Sequence, residues 1–190
     1  MLRKRLKLPT DARALLPAGR LVPVKGYVHL IDALSLLPPT IAGRPLHLVL
    51  LENGALGPRL TAQAGLNKRI IWANWQSDPA PYYQLADLVV FPSLEKETLG
   101  NVTLKARAWS KPLVISRFCG AREITQHGED AWCVPCANGS AMARGIEHVL
   151  HDPSLRAVMI VQGRRWVRKE FSRKVIMDRY LALYRELTGR

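Results

Sequence analysis

Glu97-Thr98-Leu99-Gly100-Asn101-Val102 brings together residues that could hold an anion bearing hydroxyl groups. An ionised carboxylate such as Glu97 only accepts hydrogen bonds, which suits it to hydroxyl donors. If a helix begins near Asn101, its first amides have no partner inside the helix and carry the positive end of its dipole. They form a ready seat for an anion. An anion with hydroxyls nearby describes a nucleotide sugar. The same spacing also describes a plain buried strand–helix unit with a solvated loop.

The surrounding stretch, Leu88 to Ser116, predicts strand, loop, helix, strand. Leu88 to Phe91 is a short apolar run closed by Pro92-Ser93. The helix must stop at Ser110-Lys111-Pro112, because proline cannot continue it. Pro112 to Ile115 is a second apolar strand. In an open parallel sheet, a loop leaving the carboxyl end of a strand faces the ligand crevice.

A basic pair, Arg20 and Lys25, lies between Gly19 and Gly26. It precedes an amphipathic helix from about Tyr27 to Leu37, with Val28, Ile31 and Leu34 at helical spacing. Taken alone, such a pair fits a solvated surface.

Phe91-Pro92-Ser93, Glu95, Glu97, Gly100-Asn101-Val102, Leu104, Ala106, Ala108 and Lys111-Pro112 together resemble a family signature. It is that of the retaining glycosyltransferases of family 4, also called glycosyl transferases group 1. The resemblance runs from about Arg13 to Leu187. It implies the carboxyl-terminal, donor-binding half of a GT-B enzyme, with residues 1–12 as a basic arm or linker remnant and 13–190 as one domain. The implied fold is α/β, a Rossmann-like doubly wound parallel sheet of about six strands with helices on both faces. An amphipathic helical tail follows. The amino-terminal acceptor half is absent from the sequence, so this half alone should bind donor at best.

The same resemblance implies roles. Arg20 and Lys25, with the amides of Gly100, Asn101 and Val102, would hold the donor diphosphate, whose charge grows as the glycosidic bond breaks. Glu97, with Thr98 and Leu99, would hold the donor sugar. Gly54 and Trp75 match positions close to the nucleotide, although Trp75 and Trp72 equally suit core or rim. Glu52 replaces the first glycine of that loop, placing a side chain where backbone should approach the ligand, so the loop is expected to be displaced. Asp87 matches a residue preceding the signature, and Glu123 is expected to open a helix.

One departure is large. The family has a second glutamate with seven residues between it and the first, and here that position is Lys105. Ammonium donates and cannot accept the ribose hydroxyls. Losing that acceptor should weaken binding by about 1–3 kcal/mol, unless Lys105 grips a phosphate instead.

Composition bounds the alternatives. Twenty-eight basic against fifteen acidic residues give the 190-residue chain a formal charge of +13. Such a surface attracts phosphate-rich partners or anionic lipid; no nucleic-acid-binding signature accompanies it, so no nucleic acid is expected. The basic start, Met1-Leu2-Arg3-Lys4-Arg5, lacks a following apolar segment, and Leu46 to Leu51 is too short to span a bilayer. The expectation is a cytoplasmic protein, with peripheral attachment at the inner membrane face open to it. Three cysteines do not suggest a disulfide framework. Cys133-Val-Pro-Cys136, with Cys119 and His127, has the makings of a zinc set on paper, but no second such pair exists. There is no Asp-x-Asp motif, and no metal or cofactor is expected.

Ser140 to Leu150, Pro153 to Val167 and Ser172 to Leu187 predict three amphipathic helices. In the last, Val175, Ile176, Tyr180, Leu183, Tyr184 and Leu187 share one face. Three readings remain open: a donor domain needing a separate acceptor half, a degenerate phosphate or nucleotide binder, or a basic module docking on a membrane.

Overall fold

The computed structural model describes residues 1–17 and 19–189. Its centre is a run of short apolar strands: β1 (Arg13–Pro17), β3 (Arg44–Leu50), β4 (Ile70–Trp72), β5 (Leu88–Phe91), β6 (Leu113–Ser116) and β7 (Trp132–Val134). All pair in parallel, in the order β4-β3-β1-β5-β6-β7. A two-residue strand, β2 (Thr40–Ile41), adds an antiparallel edge to β3.

Strands covered on both faces should be continuously apolar, and β1 and β5 are buried at every position. Alternate residues feed two separate cores. Leu15, Leu88, Val90 and Val114 face one core, with α2 (Tyr27–Leu36), α3 (Gly57–Ala64) and α7 (Gly139–His151). Leu16, Val89, Phe91, Leu113 and Ile115 face the other, with α4 (Ala80–Leu85), α5 (Asn101–Ala108) and α6 (Cys119–Ile124). Helices therefore cover both faces, as the resemblance implied.

The six parallel strands follow the doubly wound order, with the order of strand addition reversing between β1 and β5. That switch leaves a crevice at the carboxyl ends of the strands.

Several local expectations change. Residues 1–12 are not a free arm: α1 (Leu2–Arg5) docks on α4, Arg5 donates to the Tyr82 hydroxyl at 2.8 Å, and Leu8 and Ala12 are buried. Glu123 lies near the end of α6, exposed, and does not open that helix. Asp87 has a structural task, accepting from the Ala14 amide at 2.9 Å and so pinning β1 beside β5.

The tail comprises α8 (Pro153–Phe171) and α9 (Arg173–Thr188), each opened by a side-chain cap, from Asp152 and Ser172. The predicted apolar face of α9 is not covered within the described residues: Tyr180, Leu183, Tyr184 and Leu187 are all exposed. No described helix is long and apolar enough to cross a membrane.

Candidate functional site

The loop after β5 is tied to the loop after β1. The Leu94 amide donates to the Val24 carbonyl at 2.8 Å, and the Glu97 amide to the Leu94 carbonyl at 3.0 Å. This brings Lys25 Nζ to 2.6 Å from Glu97 Oε2, with both side chains largely buried. Ser93 Oγ donates to the same oxygen at 3.2 Å, and Lys25 also lies 5.0 Å from the centre of the Phe91 ring. The Tyr27 hydroxyl donates to the Gly19 carbonyl, anchoring the loop that carries Arg20. Burial, and then the charge of Glu52, push the pKa of Tyr27 well above its ordinary value, so the phenol stays a donor.

α5 begins at the floor of the crevice. Gly100 is its N-cap, in the left-handed region at φ 64°, and no side chain caps this end. The amides of Asn101 and Val102 therefore have no intrahelical acceptor. A Cβ on Gly100 would lie 2.5 Å from Phe91 Cε1 and 2.9 Å from Phe118 Cζ, so the turn also needs the missing side chain.

These pieces enclose a cavity of about 540 Å³, within the size range of small-ligand sites. Arg20, Lys25, Glu97, Thr98, Leu99, Gly100, Asn101, Val102, Lys105 and Trp75 all line it. Those ten candidates, named from sequence, thus converge on one spot. Arg20, Lys105 and Trp75 are exposed there, and neither Arg20 nor Lys105 makes an ion pair among the described residues.

Gly54 does not line the cavity. A Cβ there would lie 2.6 Å from the Leu21 carbonyl oxygen, which also accepts from the Leu56 amide at 3.0 Å. Its role is to let the loop after β3 close against the loop after β1. With that contact the loop stays at the crevice, and Glu52 lines the cavity. Gln76, Ser77, Pro79 and Tyr83 complete the wall. Burial and Glu52 hold the pKa of Tyr83 above its usual value as well. Gln76 and Ser77 belong to the Trp75 turn, whereas Pro79 and Tyr83 are not singled out from sequence and Glu52 reads there as an obstruction. The signal that finds Glu52 is its position just beyond the carboxyl end of β3.

Behind the cavity, α5 is anchored by a buried cation. Arg107 Nη2 lies 2.7 Å from Asp130 Oδ2, and the guanidinium stacks 4.4 Å from the Trp166 ring of α8. The pairing is one of charge more than aligned hydrogen bonds, since the Arg107 nitrogens are otherwise unsatisfied. Burial lowers the Arg107 pKa, with Asp130 opposing that shift.

The cysteines take other partners. Cys133 Sγ meets Thr125 Oγ1 at 3.3 Å, and Cys136 Sγ lies 3.6 Å from Glu95. Burial raises both thiol pKa values, which disfavours the thiolate a metal needs. Among the described residues no three His, Cys, Asp or Glu side chains are gathered for a metal.

A model of the glycosyl transferases group 1 matches residues 1–166. The chain is 33% identical over 184 residues to the lipopolysaccharide core biosynthesis glycosyltransferase LpsE of Rhizobium meliloti (strain 1021), covering 95% of this chain and 52% of that protein. It spans about half the length of the curated relatives it matches. Among solved structures, Anabaena Alr3699/HepE in complex with UDP-glucose superposes with a TM-score of 0.84 at 22% identity, over all of this chain and 52% of that one. The carboxyl-terminal domain of LpcC, a glycosyl transferase group 1 protein from Francisella tularensis, superposes at 0.75 with 21% identity. That match covers 90% of this chain and 93% of that one.

Proposed function

Because this chain belongs to the glycosyl transferases group 1, we propose that its crevice is the donor site of a glycosyltransferase. Joined to an acceptor-binding half, it would move a sugar from a nucleotide sugar to an acceptor hydroxyl with retained configuration. The observation that carries this reading is the convergence of Arg20, Lys25, Lys105 and the free amides of α5 on one cavity.

The proposed division of labour follows from charge. The diphosphate rests on the Asn101 and Val102 amides and between Arg20 and Lys105. Lys25 has three donors, so it can keep Glu97 with one and turn the others to phosphate. When the glycosidic bond breaks, its electron pair moves onto the diphosphate, and these donors stabilise the added charge. Glu97 has one oxygen engaged by Lys25 and Ser93, leaving the other for a sugar hydroxyl. Protein cations supply the positive charge, so donor binding is expected to survive chelation of divalent metals.

The relative LpsE is named for lipopolysaccharide core synthesis, and HepE is named as a UDP and UDP-glucose complex. They support a nucleotide sugar as donor. The exposed apolar side chains of α9 support docking of the acceptor half there. A cationic groove on α8, from Arg164, Arg165, Arg168 and Lys169, supports contact with an anionic lipid surface. Liposome binding that collapses with added salt tests the last point.

The experiment for the main reading is calorimetric titration with UDP, GDP and ADP, with and without chelator. Saturable binding of at least one is expected. Lys105 favours a second reading, a nucleotide binder without transferase activity; assay of the chain joined to an acceptor half separates the two.

A further inference from the structure

Two carboxylates line the cavity, Glu52 and Glu97, and they differ in one respect. Glu97 is held by Lys25 and Ser93. Glu52 is half-buried and makes no ion pair among the described residues. It lines the crevice in the same wall as Tyr83, only partly open to solvent.

The order of strands says what should lie beside it. Trp75 follows β4, Glu52 follows β3, Arg20 follows β1 and Glu97 follows β5, and these four strands are consecutive neighbours. Adjacent strands are about 4.8 Å apart, so the loops span roughly 14 Å across the crevice. Across that distance come an aromatic face, a carboxylate, a cation, and the free amides of a helix. A nucleoside diphosphate presents base, pentose and phosphates in the same sequence. The group opposite Glu52 is then the pentose, whose neighbouring hydroxyls are two donors for a group with two acceptor oxygens.

We propose that Glu52 accepts the ribose hydroxyls of the bound nucleotide, making it the residue that selects a ribonucleotide donor. The assignment rests on the donor-site reading of this cavity. It also gives Lys105 freedom to serve phosphate, because the acceptor missing from α5 is supplied from β3 on the facing wall.

The test compares the best-binding nucleoside diphosphate with its 2′,3′-dideoxy analogue by calorimetry. Glu52→Gln keeps the shape and removes the charge; Glu52→Gly, which needs no packing partner, guards against a folding artefact. The unaltered chain should prefer the ribonucleotide by roughly 10- to 100-fold. Glu52→Gly should reduce that preference to within about threefold, and Glu52→Gln, whose amide oxygen still accepts, should reduce it part of the way, while affinity for the dideoxy analogue changes little. A preference that persists in both variants overturns the role of Glu52, as does its absence in the unaltered chain. If no nucleoside diphosphate binds at all, the donor-site reading itself falls, and this assignment with it.

Discussion

Lys25 Nζ and Glu97 Oε2 stand 2.6 Å apart although 72 residues separate them in the chain. The pair stitches the loop after β1 to the loop after β5 at the point where the strand order switches. In the proposed site it also sets each partner's availability, since one donor of Lys25 and one oxygen of Glu97 are already spent.

An asymmetry follows for their variants. Lys25→Ala removes a phosphate donor and leaves Glu97 unpaired, so nucleoside diphosphate affinity should fall roughly 10- to 100-fold. Glu97→Gln leaves Lys25 free for phosphate, so affinity for the nucleoside diphosphate should hold within about threefold, while the extra affinity from the donor sugar is lost. Titrating each variant with a nucleoside diphosphate and the corresponding nucleotide sugar measures both effects.

Moving the acceptor back to α5 should rescue its loss from β3. Lys105→Glu in the Glu52→Gln background restores one carboxylate to the cavity, and the ribose preference should return to at least about a third of its original value. In the unaltered background the same change adds a third carboxylate to the cavity and removes a cation, so affinity should drop. Four calorimetric titrations decide this.

Gly100 should tolerate no side chain. Gly100→Ala adds left-handed strain and contacts with Phe91 and Phe118, and it should cost about 2–4 kcal/mol of stability. Urea unfolding at equilibrium gives the value.

The Arg107–Asp130 pair should behave as a coupled unit. Arg107→Met strands a buried carboxylate and should cost about 3–5 kcal/mol. Adding Asp130→Asn should recover most of that loss, because the amide oxygen can still accept from the Gln126 amide. A double-mutant cycle by urea unfolding checks the coupling.

His47 should make the fold acid-sensitive. Burial, and then Arg69, lower its pKa below the ordinary 6.5, and its Nδ1 is buried without a partner. The unfolded chain therefore binds a proton before the folded one does. Stability from this group is complete above pH 6.5 and declines as pH falls towards the lowered value. Relative to the unaltered chain, His47→Gln should lose less stability between pH 7.5 and pH 5.5; those two pH values are about one unit either side of the ordinary histidine value.

Local patterning made most of the framework legible. The apolar runs 88–91 and 112–115, the stop at Lys111-Pro112 and the glycine before Asn101 each act through neighbours in sequence, and each element formed within a residue or two of where those signals put it. What escaped was set by distant contacts. Gly54 looked like a ligand contact because its neighbours did, yet its need is the Leu21 carbonyl. Glu52 looked like damage because the effect of a side chain there depends on a wall three strands wide. Residues 1–12 looked like an arm because basic composition hides the buried Leu8 and Ala12.

A diphosphate resting on the amino end of α5 should be felt first by the amides there. Titration of ¹⁵N-labelled protein with the nucleoside diphosphate, following Asn101 and Val102, reads this out. Large, saturating shifts are expected at both, reduced by Arg20→Ala and by added salt. Unmoved amides there, while the basic face of α8 responds, would contradict that placement.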